Sequence, residues 1–121
     1  MAFVVEEIPD EDRLFRKIRA LHVPKPGVIS SAAFDEKDMS VNWEKYSSAE
    51  ETADSNCPFV VALGAGFCRG LGQTVVHTPI QEGERFGPNQ AHTEVCGKKT
   101  NSVKHRMRDN ATIAWTRSPS P

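Results

Sequence analysis

The apolar positions of this chain follow two periods. Leu14, Phe15, Ile18 and Leu21 recur at helical spacing. Asp10 stands where an N-cap belongs, with Glu11 and Asp12 in the first turn, where the helix dipole favours anions. The pattern predicts a helix over 10–22, stopped by the prolines of "VPKPG" at 23–27. The period then changes to two. Met39, Val41 and Trp43 alternate with Ser40 and Asn42, which predicts a half-buried strand, and the run 28–34 predicts its hairpin partner across a turn at 35–38.

Further on, "SSAEETA" (47–53) has a serine cap with glutamates three residues later, a capping-box pattern for a short helix. The most apolar run, 57–65, predicts a central strand. A second strand is expected over 72–80 and a third over 92–97, separated by the polar loop 80–91. Val103 and Met107 at i,i+4 give the segment 100–110 a modest apolar side, and 111–115 reads as a closing strand. The order α-β-β-α-β-β-β-α-β favours an α+β fold, with a mostly antiparallel sheet and two or three helices. Length places residues 1–116 in a single domain, with a disordered tail over 117–121.

Composition narrows the class. Apolar residues make up 38% of the 121 positions, low but above the disordered range, and charged residues 26%, which is ordinary. No run approaches the roughly 18 apolar residues of a membrane span. The N-terminal "MAFVVEEIPDED" lacks the basic region of a secretory signal, so a cytoplasmic location without membrane association is expected. Cys57, Cys68 and Cys96 are odd in number and form no CxxC, which argues against a disulfide framework and a zinc knuckle and for buried free thiols.

Net charge is −1, unevenly spread. Residues 1–54 carry 7 Lys/Arg against 12 Asp/Glu, a net of −5; residues 55–121 carry 8 against 4, a net of +4. Two halves attracting each other, or two faces for different partners, both fit this asymmetry.

The stretch "VVALGAGFCRGLGQTVV" raises a phosphate-binding loop for consideration. Its glycines, Gly64, Gly66, Gly70 and Gly72, follow GxGxxxG, one residue too long for a dinucleotide fingerprint, and the residues after them read as a strand. No GKS or GKT follows either. The stretch is expected to be a bulged hairpin joining strands 57–65 and 72–78, with Arg69 beside it able to meet an anion.

The histidines offer the best chemical constellation. If strands 72–78 and 92–97 pair, His77 and His92 face each other at the mouth of the hairpin, with Glu94 and Cys96 on the His92 side. Two imidazoles assisted by Glu94 would form an acid–base pair for a nucleotide or phosphodiester substrate. Cys96 would lie about 13 Å from His92 along the strand, too far for shared metal ligation, and no metal site or cofactor is expected. The basic stretch 98–108, with Lys98, Lys99, Lys104, Arg106 and Arg108, could meet phosphates, including those of a nucleic acid, although aromatic residues for base stacking are sparse nearby.

The leading expectation is a small non-catalytic module that binds a protein or small-molecule partner and works as a homodimer. The alternatives are an enzyme using His77 and His92, with Glu94, and a nucleic-acid binder using 98–108. Loop 80–91 and the basic stretch are the surfaces expected to do the binding.

Overall fold

Leu14 and Phe15 are adjacent, and both are almost completely buried. A helix would place them about 100° apart on one stripe. A strand points them to opposite faces, and each face here has its own cover. In the computed structural model, which describes residues 2–117, the segment expected to be helical is instead strand β1 (Arg13–Ile18), followed by a single 3-10 turn over Ala20–His22. β1 has a hydrogen-bonded neighbour on each side, β2 (Asp38–Trp43) and β3 (Phe59–Gly64). Tertiary pairing overrides the local helical spacing at this point.

The same pairing removes the expected hairpin of 28–34 with 39–43. β1 occupies the place beside β2 that the run 28–34 was expected to fill. That run forms instead a 3-10 turn over Ser31–Phe34, capped by the Ser30 hydroxyl, which accepts from the Ala32 amide. The alternating strand at 39–43 is present as β2. The capping box is present too: the Ser48 hydroxyl accepts from the Glu51 amide and the Glu51 carboxylate accepts from the Ser48 amide, opening helix α1 (Ala49–Thr52).

The glycine-rich stretch is corrected as well. It forms a short helix, α2 (Ala65–Gly70), and then turns at Gly72, whose φ of 84° suits glycine. It is not a hairpin, because β3 and β4 (Thr74–His77) lie in opposite halves of the sheet. Gly66 is needed for a different reason: a Cβ there would stand 2.9 Å from the Cβ of Asp10.

The remaining elements are β5 (His92–Cys96), α3 (Asn101–Asn110, capped by Thr100) and β6 (Thr112–Thr116). All pairings are antiparallel, and the strand order is β4-β5-β2-β1-β3-β6. The described residues form an α+β fold with six strands and three α-helices. The expected tail lies outside the described residues except for Arg117, whose amide donates to the Pro58 carbonyl. Among the described residues no helix is long and apolar enough to cross a membrane.

The two faces of the sheet are unequal. On the first, Leu14, Ile18, Met39, Val41, Trp43, Val61, Leu63 and Val95 form the main core under Ala33, Phe34, Ala65, Cys68 and Met107. On the second, a smaller cluster of Phe15, Cys57, Val60 and Ala62 sits under α1 and beside Trp115. That cover reaches only the β1-β3-β6 half. All three cysteines are free, two of them buried. Burial pushes the Cys68 thiol up to about 11, so it is a packing group rather than a nucleophile.

Two substitutions separate the weight of core and cap. Leu14→Ala is expected to cost about 2–5 kcal/mol, because it opens a cavity where a fully buried side chain stood. Ser48→Ala is expected to cost about 1 kcal/mol through loss of the cap. Urea denaturation checks both, and a Leu14→Ala cost no larger than that of Ser48→Ala would contradict two-sided burial of β1.

Candidate functional site

β4 and β5 do pair, as the sequence suggested, but in a register that separates the two histidines. His77 lies opposite Thr93, and Val76 opposite Glu94. With a period of two, His77, Thr93 and Val95 face the main core, whereas His92, Glu94 and Cys96 face the second side. The sheet itself stands between the two imidazoles. They do not form the expected acid–base pair.

His77 is held inside the protein. Its Nε2 is 2.7 Å from the Gln90 carbonyl oxygen, and its Nδ1 is 3.0 Å from the Glu6 amide. A carbonyl only accepts and an amide N–H only donates, so the ring proton sits on Nε2 and Nδ1 accepts. Tyr46 stacks on the ring and Trp43 meets it edge-on, with centroids 6.1 and 5.1 Å away. This ring anchors the N-terminal segment. Around it, the Glu6 carboxylate takes hydrogen bonds from the Lys45 ammonium and the Tyr46 hydroxyl, and Gln81 exchanges two bonds with the Phe3 backbone.

His92 belongs to a cleft on the second face. The floor comes from three strands: Phe15 and Lys17 of β1, Ser40 and Asn42 of β2, and His92 of β5. One wall is Thr52 at the end of α1, and the other is loop 80–91 through Ile80, Phe86 and Asn89. The loop is pinned at its base, where Ile80 and Asn89 exchange backbone hydrogen bonds of 2.9 and 2.8 Å. The volume of this open cleft is about 320 Å³, at the small end of ligand pockets. Phe86 at the tip is 81% exposed, and its φ of 69° lies in the left-handed region that a bulky side chain rarely adopts.

The polar groups of the cleft are tied together. The Asn42 amide donates to the Thr52 hydroxyl at 3.1 Å and its oxygen accepts from the Asn89 amide at 3.0 Å. His92 Nδ1 is 2.9 Å from the Thr78 carbonyl oxygen, so it carries the ring proton, and Nε2 is left as an acceptor 3.3 Å from the Ser40 hydroxyl. The Lys17 ammonium is 2.7 Å from the Asp54 carboxylate, and that bond holds the Asp54 carboxyl below its usual range. Glu94 shares the His92 face, two residues along β5, but is not part of the cleft wall.

The six candidate anion-binding cations are dispersed. Arg69 is paired with Asp10 at 2.6 Å and Arg108 with its neighbour Asp109 at 3.0 Å. The Lys99 ammonium turns inward to the carbonyls of Lys37, Val95 and Gly97, and burial lowers its pKa. Lys98, Lys104 and Arg106 have no acidic partner among the described residues, and only Lys98 and Arg106 of these are exposed. Among the described residues, no group of three or more His, Cys, Asp or Glu side chains is arranged to hold a metal ion.

The sequence reading identified His92 and the loop but missed Lys17, Ser40, Asn42, Thr52 and Phe86. Two signals were available. Ser40 and Asn42 are the polar half of the β2 alternation, and Phe86 is the lone aromatic in an otherwise polar loop. No protein-family model, curated protein or solved structure matches this chain.

The hold on the N-terminal segment is pH-dependent. Hydrogen bonds from Lys45 and Tyr46 lower the pKa of Glu6 below its ordinary 4.5. Its stabilising contribution is therefore complete above about pH 4.5 and is lost as pH falls through the lower folded value. Glu6→Gln is expected to leave a shallower acid limb in a plot of melting temperature between pH 6 and pH 3. An identical acid limb would show that the Glu6 contacts do not hold the segment.

Proposed function

We propose that the protein is a non-catalytic binding module that receives a small ligand in the cleft between α1, loop 80–91 and the second face of the sheet. The observation that carries this reading is the cleft itself: apolar Phe15 and Ile80, hydrogen-bonded polar groups between them, and a strained, exposed aromatic at its mouth. Small-molecule sites are concave and combine apolar walls with a few fixed polar groups. Strain at an exposed loop residue is typical of ligand clamps.

Neither alternative draws comparable support. The enzymatic reading needed two imidazoles in reach of each other, and the sheet separates them. The nucleic-acid reading needed a cationic surface over 98–108, and two of its five cations, Lys99 and Arg108, are already engaged. A titration of ¹⁵N-labelled protein with a library of small aromatic and aliphatic fragments tests the cleft. Shifts are expected at Ser40, Asn42, His92 and loop 80–91 and not along 98–108. Ile80→Trp, which fills the cleft, is expected to weaken the binding at least tenfold without lowering the melting temperature. Shifts confined to 98–108 would refute the proposal.

Self-association is a second part of the reading, and β6 supports it. β6 closes one edge of the sheet with Thr112, Ile113, Ala114, Trp115 and Thr116, a strand without charge or proline. Ile113 is half exposed beside it. Edges of this kind are usually blunted by charge or proline, or else paired with another strand. Native mass spectrometry is expected to show a dimer, and Ile113→Lys to convert it to monomer. A monomer in the unsubstituted protein would remove this part of the proposal.

A further inference from the structure

We propose that the cleft selects an uncharged, single-ring heteroaromatic ligand that carries neighbouring N–H and C=O groups; this rests on the reading of the cleft as a binding site. Three observations lead to it. The first concerns charge. Among the described residues, Lys17 is the only charged side chain lining the cleft, and its ammonium is already paired with Asp54. An ionised ligand would shed water without finding an unpaired counter-charge on the floor, which is costly.

The second concerns shape. Phe86 at the mouth is 81% exposed, with the Arg85 guanidinium 4.8 Å from its ring centre, while the buried Phe15 bounds the floor of a volume of about 320 Å³. An exposed aromatic face beside a volume of this size favours a flat ring that stacks on it or meets it edge-on. Ile80 and Thr52 narrow the remaining directions.

The third concerns the polar edge. The bond to the Thr78 carbonyl fixes the tautomer of His92, so its Nε2 can only accept. The Asn42 amide group uses one of its two N–H donors on Thr52 and one oxygen lone pair on Asn89, leaving a second donor. Ser40, two residues along β2 from Asn42 and 3.3 Å from His92 Nε2, can donate or accept. A ring with N–H beside C=O satisfies an acceptor and a donor together. A ring lacking them would leave the second Asn42 donor without a protein or ligand partner and the His92–Ser40 contact of 3.3 Å unreplaced, so it gains less from the polar edge.

Three single-ring probes of similar size separate these elements: uracil, benzoate and benzene. Each is titrated into the full-length ¹⁵N-labelled protein to 10 mM. Uracil is expected to shift Ser40, Asn42 and the His92 ring nitrogens and to bind at least tenfold more tightly than either other probe. Ser40→Ala and Asn42→Leu are expected to weaken uracil at least fivefold and leave benzene unchanged, and melting temperatures confirm that both variants are folded. Benzoate binding as tightly as uracil would overturn the selection against charge. Benzene binding as tightly would overturn the role of the polar edge. Either result leaves the cleft as a binding site. If none of the three shifts a cleft residue, the ligand class and the proposed site both fail.

Discussion

Two-sided burial of β1 is the constraint on which the rest of the molecule depends. Leu14 and Ile18 project into the main core, and Phe15 projects into the smaller cluster on the other face. A strand with apolar residues on both sides needs a neighbour at each edge and a cover over each face. β2 and β3 supply the edges. The 3-10 turn at 31–34, α2 and α3 supply the first cover, and α1 supplies the second. Because β1 takes the place beside β2, the chain before β2 cannot pair there, and because β3 takes its other edge, the glycine-rich stretch must cross between the two halves of the sheet.

The second cover is short, and that shortness produces the cleft. α1 has only four helical residues. It shields Phe15, Val60 and Ala62, and it ends over the floor with Thr52. Beyond it, the strands present Ser40, Asn42 and His92 rather than apolar side chains, so no hydrophobic force calls for further cover. Loop 80–91 arches over this polar ground, held at its base by paired backbone groups. The site is the seam between a cover that stops and a loop that begins.

The opposite face uses its polar groups for holding. His77, Tyr46, Trp43 and Glu6 are joined by directional bonds that require one ring tautomer and one carboxylate. They tie the first residues of the chain to the far end of β4. The charge asymmetry of the sequence is partly resolved in the same way. Asp10 from the acidic half pairs with Arg69 from the basic half, and the Asp54 carbonyl accepts from Arg117. The other five ion pairs among the described residues lie within one half or the other.

How much was legible in the residues follows from the range of the interactions involved. The sequence by itself determined the elements whose signals are local: the Ser48–Glu51 capping box, the alternation of Met39, Val41 and Trp43, the buried run of β3, the assignment of His92, Glu94 and Cys96 to one face, and the helix at 101–110. Each depends on neighbours within a few positions. It misassigned 10–22 because Leu14, Phe15, Ile18 and Leu21 fit a helical stripe as well as a strand buried on both faces, and only the presence of β2 and β3 distinguishes the two. It paired His77 with His92 because strand proximity is readable and register is not: a shift of one residue exchanges the faces. Tertiary structure alone decided which side of the sheet each imidazole occupies, and it alone brought Lys17, Asn42, Thr52 and Phe86 to one cleft, because residues so far apart in the chain are joined only when the sheet closes between them.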